Sequence, residues 1–120
     1  MRETKFWTWH IVSAGVILIL LTIHMFTMHL DDLVGWLNPA GGEAIAWANV
    51  LARSRMTLFT VTYVLLLAAA LYHGFYGLRV MLFELSLGPA LRRTINVTLW
   101  AAGVGLFALG SAAAIAARML

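Results

Sequence analysis

The sequence predicts an all-α integral membrane protein with three transmembrane helices, and three observations carry the prediction. Of its 120 residues, 62% are hydrophobic and 11% charged, where a soluble domain has about half apolar residues and roughly a quarter charged. Residues 6–30, 56–78 and 94–117 contain no Asp, Glu, Lys or Arg, giving charge-free windows of 25, 23 and 24 residues. Each exceeds the ~20 residues that an α-helix needs to cross a ~30 Å hydrocarbon layer. The apolar runs are also long and continuous, unlike the short alternating segments of a membrane barrel. A soluble enzyme, a disordered chain and a β-barrel are excluded together.

The first helix is expected over 6–30. It is too long for a signal-peptide core, and it ends in His29-Leu30-Asp31-Asp32 instead of a small-residue cleavage site, so it reads as a retained span. The loop over 31–55 breaks at Asn38-Pro39-Ala40-Gly41-Gly42, a strong turn cluster. It resumes over 43–53 as an Ala-rich stretch with Trp47, expected to lie along the membrane surface. The second helix, 56–86, continues past the bilayer through Arg79 and Glu84 until Gly88-Pro89 stops it. Its two projecting turns suit contact with a soluble partner. The third helix, 94–118, carries Gly103, Gly105, Gly110 and Ser111-Ala112-Ala113-Ala114, small residues that let helices approach closely. With 31–55 the longest stretch outside the spans, the chain reads as a single membrane domain over 1–120.

Three spans put the N-terminus and the second loop on one side of the membrane. That side holds Arg2, Lys5, Arg79, Arg92 and Arg93, against Arg53, Arg55 and Arg118 on the other. The excess of Lys and Arg places the N-terminus inside and the C-terminus outside. Trp7 and Trp9 then lie at the inner interface, and Trp36 and Trp47 at the outer one. The net charge of +3 reads as a topology signal, since no basic cluster dense enough for nucleic acid is present. The chain has no cysteine, so it can neither hold a thiolate-ligated iron–sulfur cluster nor attach a c-type haem. Electron transfer by this chain would need a haem on His or Met, a bound quinone, or both.

Ionisable groups within a span are functional candidates, and helical rise converts their positions to depths. Counting from the centre of the first span near Leu18, His10 lies ~12 Å inward, His24 ~9 Å outward and His29 ~16 Å outward, at the interface. Counting from Leu67 in the second span, His73 lies ~9 Å inward. Two axial ligands of one haem need nearly equal depth. His24 and His73 differ by ~18 Å and cannot share an iron, whereas His10 and His73 differ by only ~3 Å. Gly77 follows His73 by one turn on the same face, where a flat macrocycle could approach the backbone. Arg79, ~9 Å further inward, is placed to meet a haem propionate. Glu84, eleven residues after His73, returns to its stripe. On position alone, His73 and His24 each have a second reading as helix-packing hydrogen bonders. His29 beside Asp31 and Asp32 reads as interfacial. His10 and Ser13, one turn apart, could share a quinone oxygen, and Met25, Met28 and Met56 read as packing.

The run His73-Gly74-Phe75-Tyr76-Gly77-Leu78-Arg79 with Glu84 resembles the second-helix motif of the membrane anchor subunits of succinate dehydrogenase and fumarate reductase. That motif reads roughly His-x-x-x-Gly-x-Arg followed by Asp, here replaced by Glu84; Leu85 stands where several members have Tyr. His10-Ile11-Val12-Ser13-Ala14-Gly15 is similar to the family's His-Arg-x-Ser-Gly segment, with Ile11 in place of Arg and one extra residue before Gly15. Ile23-His24-Met25-Phe26 is similar to the first-helix ligand segment of the two-haem members. The resemblance covers roughly residues 8–86 and the three-helix layout. It implies that His73 and His24 are axial ligands of two b haems, with Gly77 and Arg79 beside the first, and that Glu84, Ser13 and His10 are quinone-site candidates. It implies half of a heterodimeric haem b bundle, completed by a second membrane anchor and carrying an iron–sulfur subunit and a flavoprotein subunit. The setting implied is a bacterial or archaeal cytoplasmic membrane and its lipid, with menaquinone as the expected quinone. The competing readings are a cytochrome b anchor of a hydrogenase or formate dehydrogenase, and a haem-free structural or transporter subunit.

Overall fold

The computed structural model describes residues 2–29, 43 and 45–120, and among them the chain is helical without a strand. α1 spans Arg2–His29, α2 Trp47–Ser54, α3 Thr57–Phe83 and α4 Pro89–Arg118. Glu3–His29, Thr57–Phe83 and Pro89–Arg118 are each long and apolar enough to cross a bilayer. The chain is an integral membrane protein of three spans, as its charge-free windows predict.

The helix ends differ from expectation in instructive places. α1 starts at Arg2, so the polar turn before Phe6 is already helical. α3 ends at Phe83, with Glu84 as its C-cap, three residues short of the expected 86. α4 begins at Pro89, five residues earlier than expected, with Gly88 extended at its N-cap. Proline's fixed φ and missing N–H suit the first helical position. The Gly-Pro pair therefore opens α4, while α3 has already ended at Phe83 ahead of it. The surface segment is helical over Trp47–Ser54, while the turn cluster at Asn38–Gly42 and Trp36 lie outside the described residues.

α3 is the central helix. α1 packs on it, α4 packs on it, and the short α2 lies against α3 and α4. Among the described residues, Ala69 is the one buried hydrophobic, while the buried polar or charged residues are Ser13, Thr27, Asn49, Arg53, Ser54 and Thr60. Leu18, Ile19, Leu58 and Leu109 are largely exposed. This inversion follows from the solvent. Lipid tails are as apolar as leucine, so nothing drives leucines inward, whereas polar groups gain by meeting one another.

Close packing and side-chain hydrogen bonds hold the bundle. A Cβ on Gly110 would stand 2.5 Å from Leu67 Cδ2, and one on Gly103 would stand 3.1 Å from Phe75 Cδ2. α4 thus lies against α3 where it lacks side chains. At the C-terminal end of α4, Ser54 Oγ donates to the Ala117 carbonyl at 3.1 Å and Arg118 Nη2 to Thr57 Oγ1 at 3.1 Å. At the opposite end Tyr72 O–H donates to the Phe6 carbonyl at 2.8 Å, tying α3 to α1.

Candidate functional site

His73 points the site's chemistry towards α1. Its Nδ1 lies 3.1 Å from the His10 carbonyl oxygen. A carbonyl only accepts, so Nδ1 is the donor in this contact, and in the neutral imidazole the lone pair then lies on Nε2. That tautomer leaves the imidazole ready to ligate through Nε2. Ser13, 7% exposed, donates its hydroxyl to the same carbonyl at 2.7 Å and lies 3.5 Å from His73 Nδ1.

The imidazole of His10 stacks on that of His73, with ring centroids 4.1 Å apart and planes 3° from parallel. Equal depth, expected from helical rise, is therefore realised as direct ring contact. Two axial ligands must stand on opposite faces of one macrocycle, and rings at stacking distance leave no space for it between them. In this arrangement the two rings stack on each other instead of flanking a macrocycle. A Cβ on Gly77 would stand 3.3 Å from His10 Cε1, so the His10 ring lies close over its backbone.

Arg79 has partners within the chain. Its Nε donates to Asn96 Oδ1 at 2.6 Å, and its Nη1 lies 3.5 Å from Glu3 Oε2. Its guanidinium stands 4.5 Å from the centroid of the Phe83 ring. A guanidinium has five N–H donors, so these contacts orient Arg79 without exhausting it. Beside it, α1, α3 and α4 enclose a cleft of about 490 Å³. Phe75, Trp100, Val104 and Phe107 make its apolar walls, and Arg79 and Asn96 supply polar groups. The volume lies within the ~300–1,000 Å³ range of small-molecule pockets, and so does the pattern of apolar walls with few polar groups.

His24 occupies a different level. Its ring meets the edge of Tyr63 at 5.7 Å, and Tyr63 lies ten residues from His73 along α3, or ~15 Å of helical rise. His24 and His73 do not share a site. His24 shares a cavity of about 250 Å³ with Met28, Arg53, Thr60 and Tyr63. Its Nδ1 is buried with no hydrogen-bond partner among the described residues. Arg53 is 1% exposed and donates from Nη2 to Met28 Sδ at 3.4 Å.

Glu84 is exposed beyond the last residue of α3, and His29 is exposed as an interfacial residue should be. Neither lines the two cavities. Asn96 and Arg53 escaped sequence reasoning. Asn96 is a polar residue inside the third charge-free window, and that signal was available. Arg53 could be assigned only to a loop, because nothing local shows that α2 folds it against α1.

A family model described as succinate dehydrogenase/fumarate reductase transmembrane subunit matches residues 2–113. The chain is 27% identical over 86 residues to the succinate dehydrogenase hydrophobic membrane anchor subunit of Archaeoglobus fulgidus, a match covering 72% of this chain and 66% of that relative. It thus spans just under two thirds of the relative's length. No solved structure matches.

Proposed function

The chain belongs to the succinate dehydrogenase/fumarate reductase transmembrane subunit family, and from that premise we propose that it is one of two small membrane anchors of a succinate:quinone oxidoreductase. In this reading it packs against a second membrane anchor, seats the iron–sulfur and flavoprotein subunits on its inner face, and catalyses no step on succinate itself. The observation that carries the redox part is the 3.1 Å contact of His73 Nδ1 with the His10 carbonyl, which in a neutral imidazole leaves the lone pair on Nε2. A haem b iron takes such a nitrogen.

In this reading the chain would help hold a b haem in two places. His73 would hold one, together with residues of the partner anchor. His24 would hold another, its buried Nδ1 having no hydrogen-bond partner among the described residues, as is also true of His10 Nδ1. Leaving such a group unsatisfied costs about 1–3 kcal/mol. The 250 Å³ cavity beside His24 is small, so that site too would be completed across the subunit interface. When bound, haem b supplies one-electron transfer between the iron–sulfur subunit and quinone. This chain's residues fix the ligand tautomer, exclude water and set the polarity around it.

For quinone, expected to be menaquinone, the 490 Å³ cleft is favoured over the exposed Glu84. It pairs apolar walls for a prenyl tail with Arg79 and Asn96 as donors for a carbonyl oxygen. Ser13 donates to the His10 carbonyl and the His10 ring stacks on His73.

A reduced-minus-oxidised optical spectrum of the intact complex tests the haem reading. The expected outcome is a haem b signal that loses one component in His73→Leu and a different one in His24→Leu. A complex without haem b absorbance would leave a haem-free structural subunit.

A further inference from the structure

His10 contacts His73 in two separable ways. Its backbone carbonyl accepts the Nδ1 proton at 3.1 Å, and its ring lies flat on the His73 ring at 4.1 Å and 3°. The hydrogen bond fixes one atom of His73 and leaves the imidazole free to turn about that contact. The stacked ring removes the remaining freedom, because turning His73 would drive its edge into the face of His10.

The His10 ring is itself held on several sides. The missing side chain of Gly77 leaves room for it, with an imagined Cβ 3.3 Å from Cε1. The Tyr76 ring lies 5.1 Å away at 47°. Ser13, buried beneath, donates to the His10 carbonyl at 2.7 Å and so steadies the acceptor that His73 uses. A side chain that only filled space between α1 and α3 would need neither coplanarity with His73 nor a glycine opposite.

We propose that His10 is a positioning residue: its imidazole sets the plane of the His73 imidazole and thereby the orientation of the axial ligand at the iron. The proposal rests on the haem reading of His73. The plane of an axial imidazole, relative to the macrocycle and to the opposite ligand, sets how the iron d orbitals split. In a low-spin ferric haem that splitting is read directly as the gz value of the electron paramagnetic resonance spectrum.

The test uses the intact complex with two variants, both of which keep the backbone carbonyl at position 10. His10→Phe keeps a flat ring and removes the nitrogens; His10→Leu removes the flat ring. The gz feature of the His73 haem is identified by its loss in His73→Leu. Both position-10 variants are expected to retain full haem content. His10→Phe should keep the wild-type gz, and His10→Leu should give a shifted and broadened one. An unchanged gz in His10→Leu overturns the proposal, as does an equal shift in both variants, or loss of the haem from both. These outcomes occur in a haem-containing complex and leave the haem reading standing. A wild-type complex without haem b overturns that reading and the inference together.

Discussion

Asn96 decides where Arg79 stands. The 2.6 Å bond from Arg79 Nε to Asn96 Oδ1 fixes the fork of the guanidinium at the cleft, and hydrogen bonds to charged groups contribute about 1.5–3 kcal/mol each. Asn96→Leu preserves most of the volume and removes the acceptor. If the cleft takes quinone, KM for quinone rises about tenfold or more while the haem spectrum stays at wild type. An unchanged KM would place the quinone elsewhere. At this scale the sequence was legible as depth and illegible as direction. Helical rise puts His10 and His73 at one level and His24 at another, and the structure pairs and separates them accordingly. Nothing in the sequence, however, says that the His10 ring turns onto His73 and fills the space over Gly77.

Among the helices, α3 bears the greatest burden, because α1 and α4 both pack on it. The contact with α4 depends on absent side chains. Gly110→Leu would force atoms into space that Leu67 already fills, and overpacking of this kind costs about 1–3 kcal/mol. The expected result is a lower thermal midpoint for the purified complex; an unchanged midpoint would show that Gly110 does not set the approach. The small-residue run of the third span announced such a surface, and the sequence was right about its kind. It could not name Leu67 and Phe75 as the groups received. The boundary at Gly88-Pro89 shows the opposite failure. Read as the stop of the second helix, it instead begins α4, and α3 already ends at Phe83 with Glu84 as its C-cap.

For the whole molecule, the five-to-three distribution of Lys and Arg predicts an inner N-terminus and an outer C-terminus. The absence of cysteine makes this unusually easy to measure, since any cysteine introduced into the chain is unique in it. In intact, right-side-out cells a membrane-impermeant thiol reagent is expected to label Met119→Cys and to spare Arg93→Cys. The reverse pattern would invert the topology. Orientation also determines on which side of the membrane Arg79, Asn96 and the cleft lie, since they stand towards the end of the bundle that holds the N-terminus.

The sequence by itself determined the solvent in which this protein lives and the level of each polar group within it. Both follow from quantities that add along a chain, namely hydropathy and ~1.5 Å of rise per helical residue. Only the tertiary structure decided azimuth: which helix each side chain faces, that His73 Nδ1 meets the His10 backbone carbonyl, and that α2 folds Arg53 in against Met28. Those contacts join residues 25 and 63 positions apart. A nearly uniform apolar helix carries little information about which face meets its neighbour, because in lipid the apolar residues have no side to prefer.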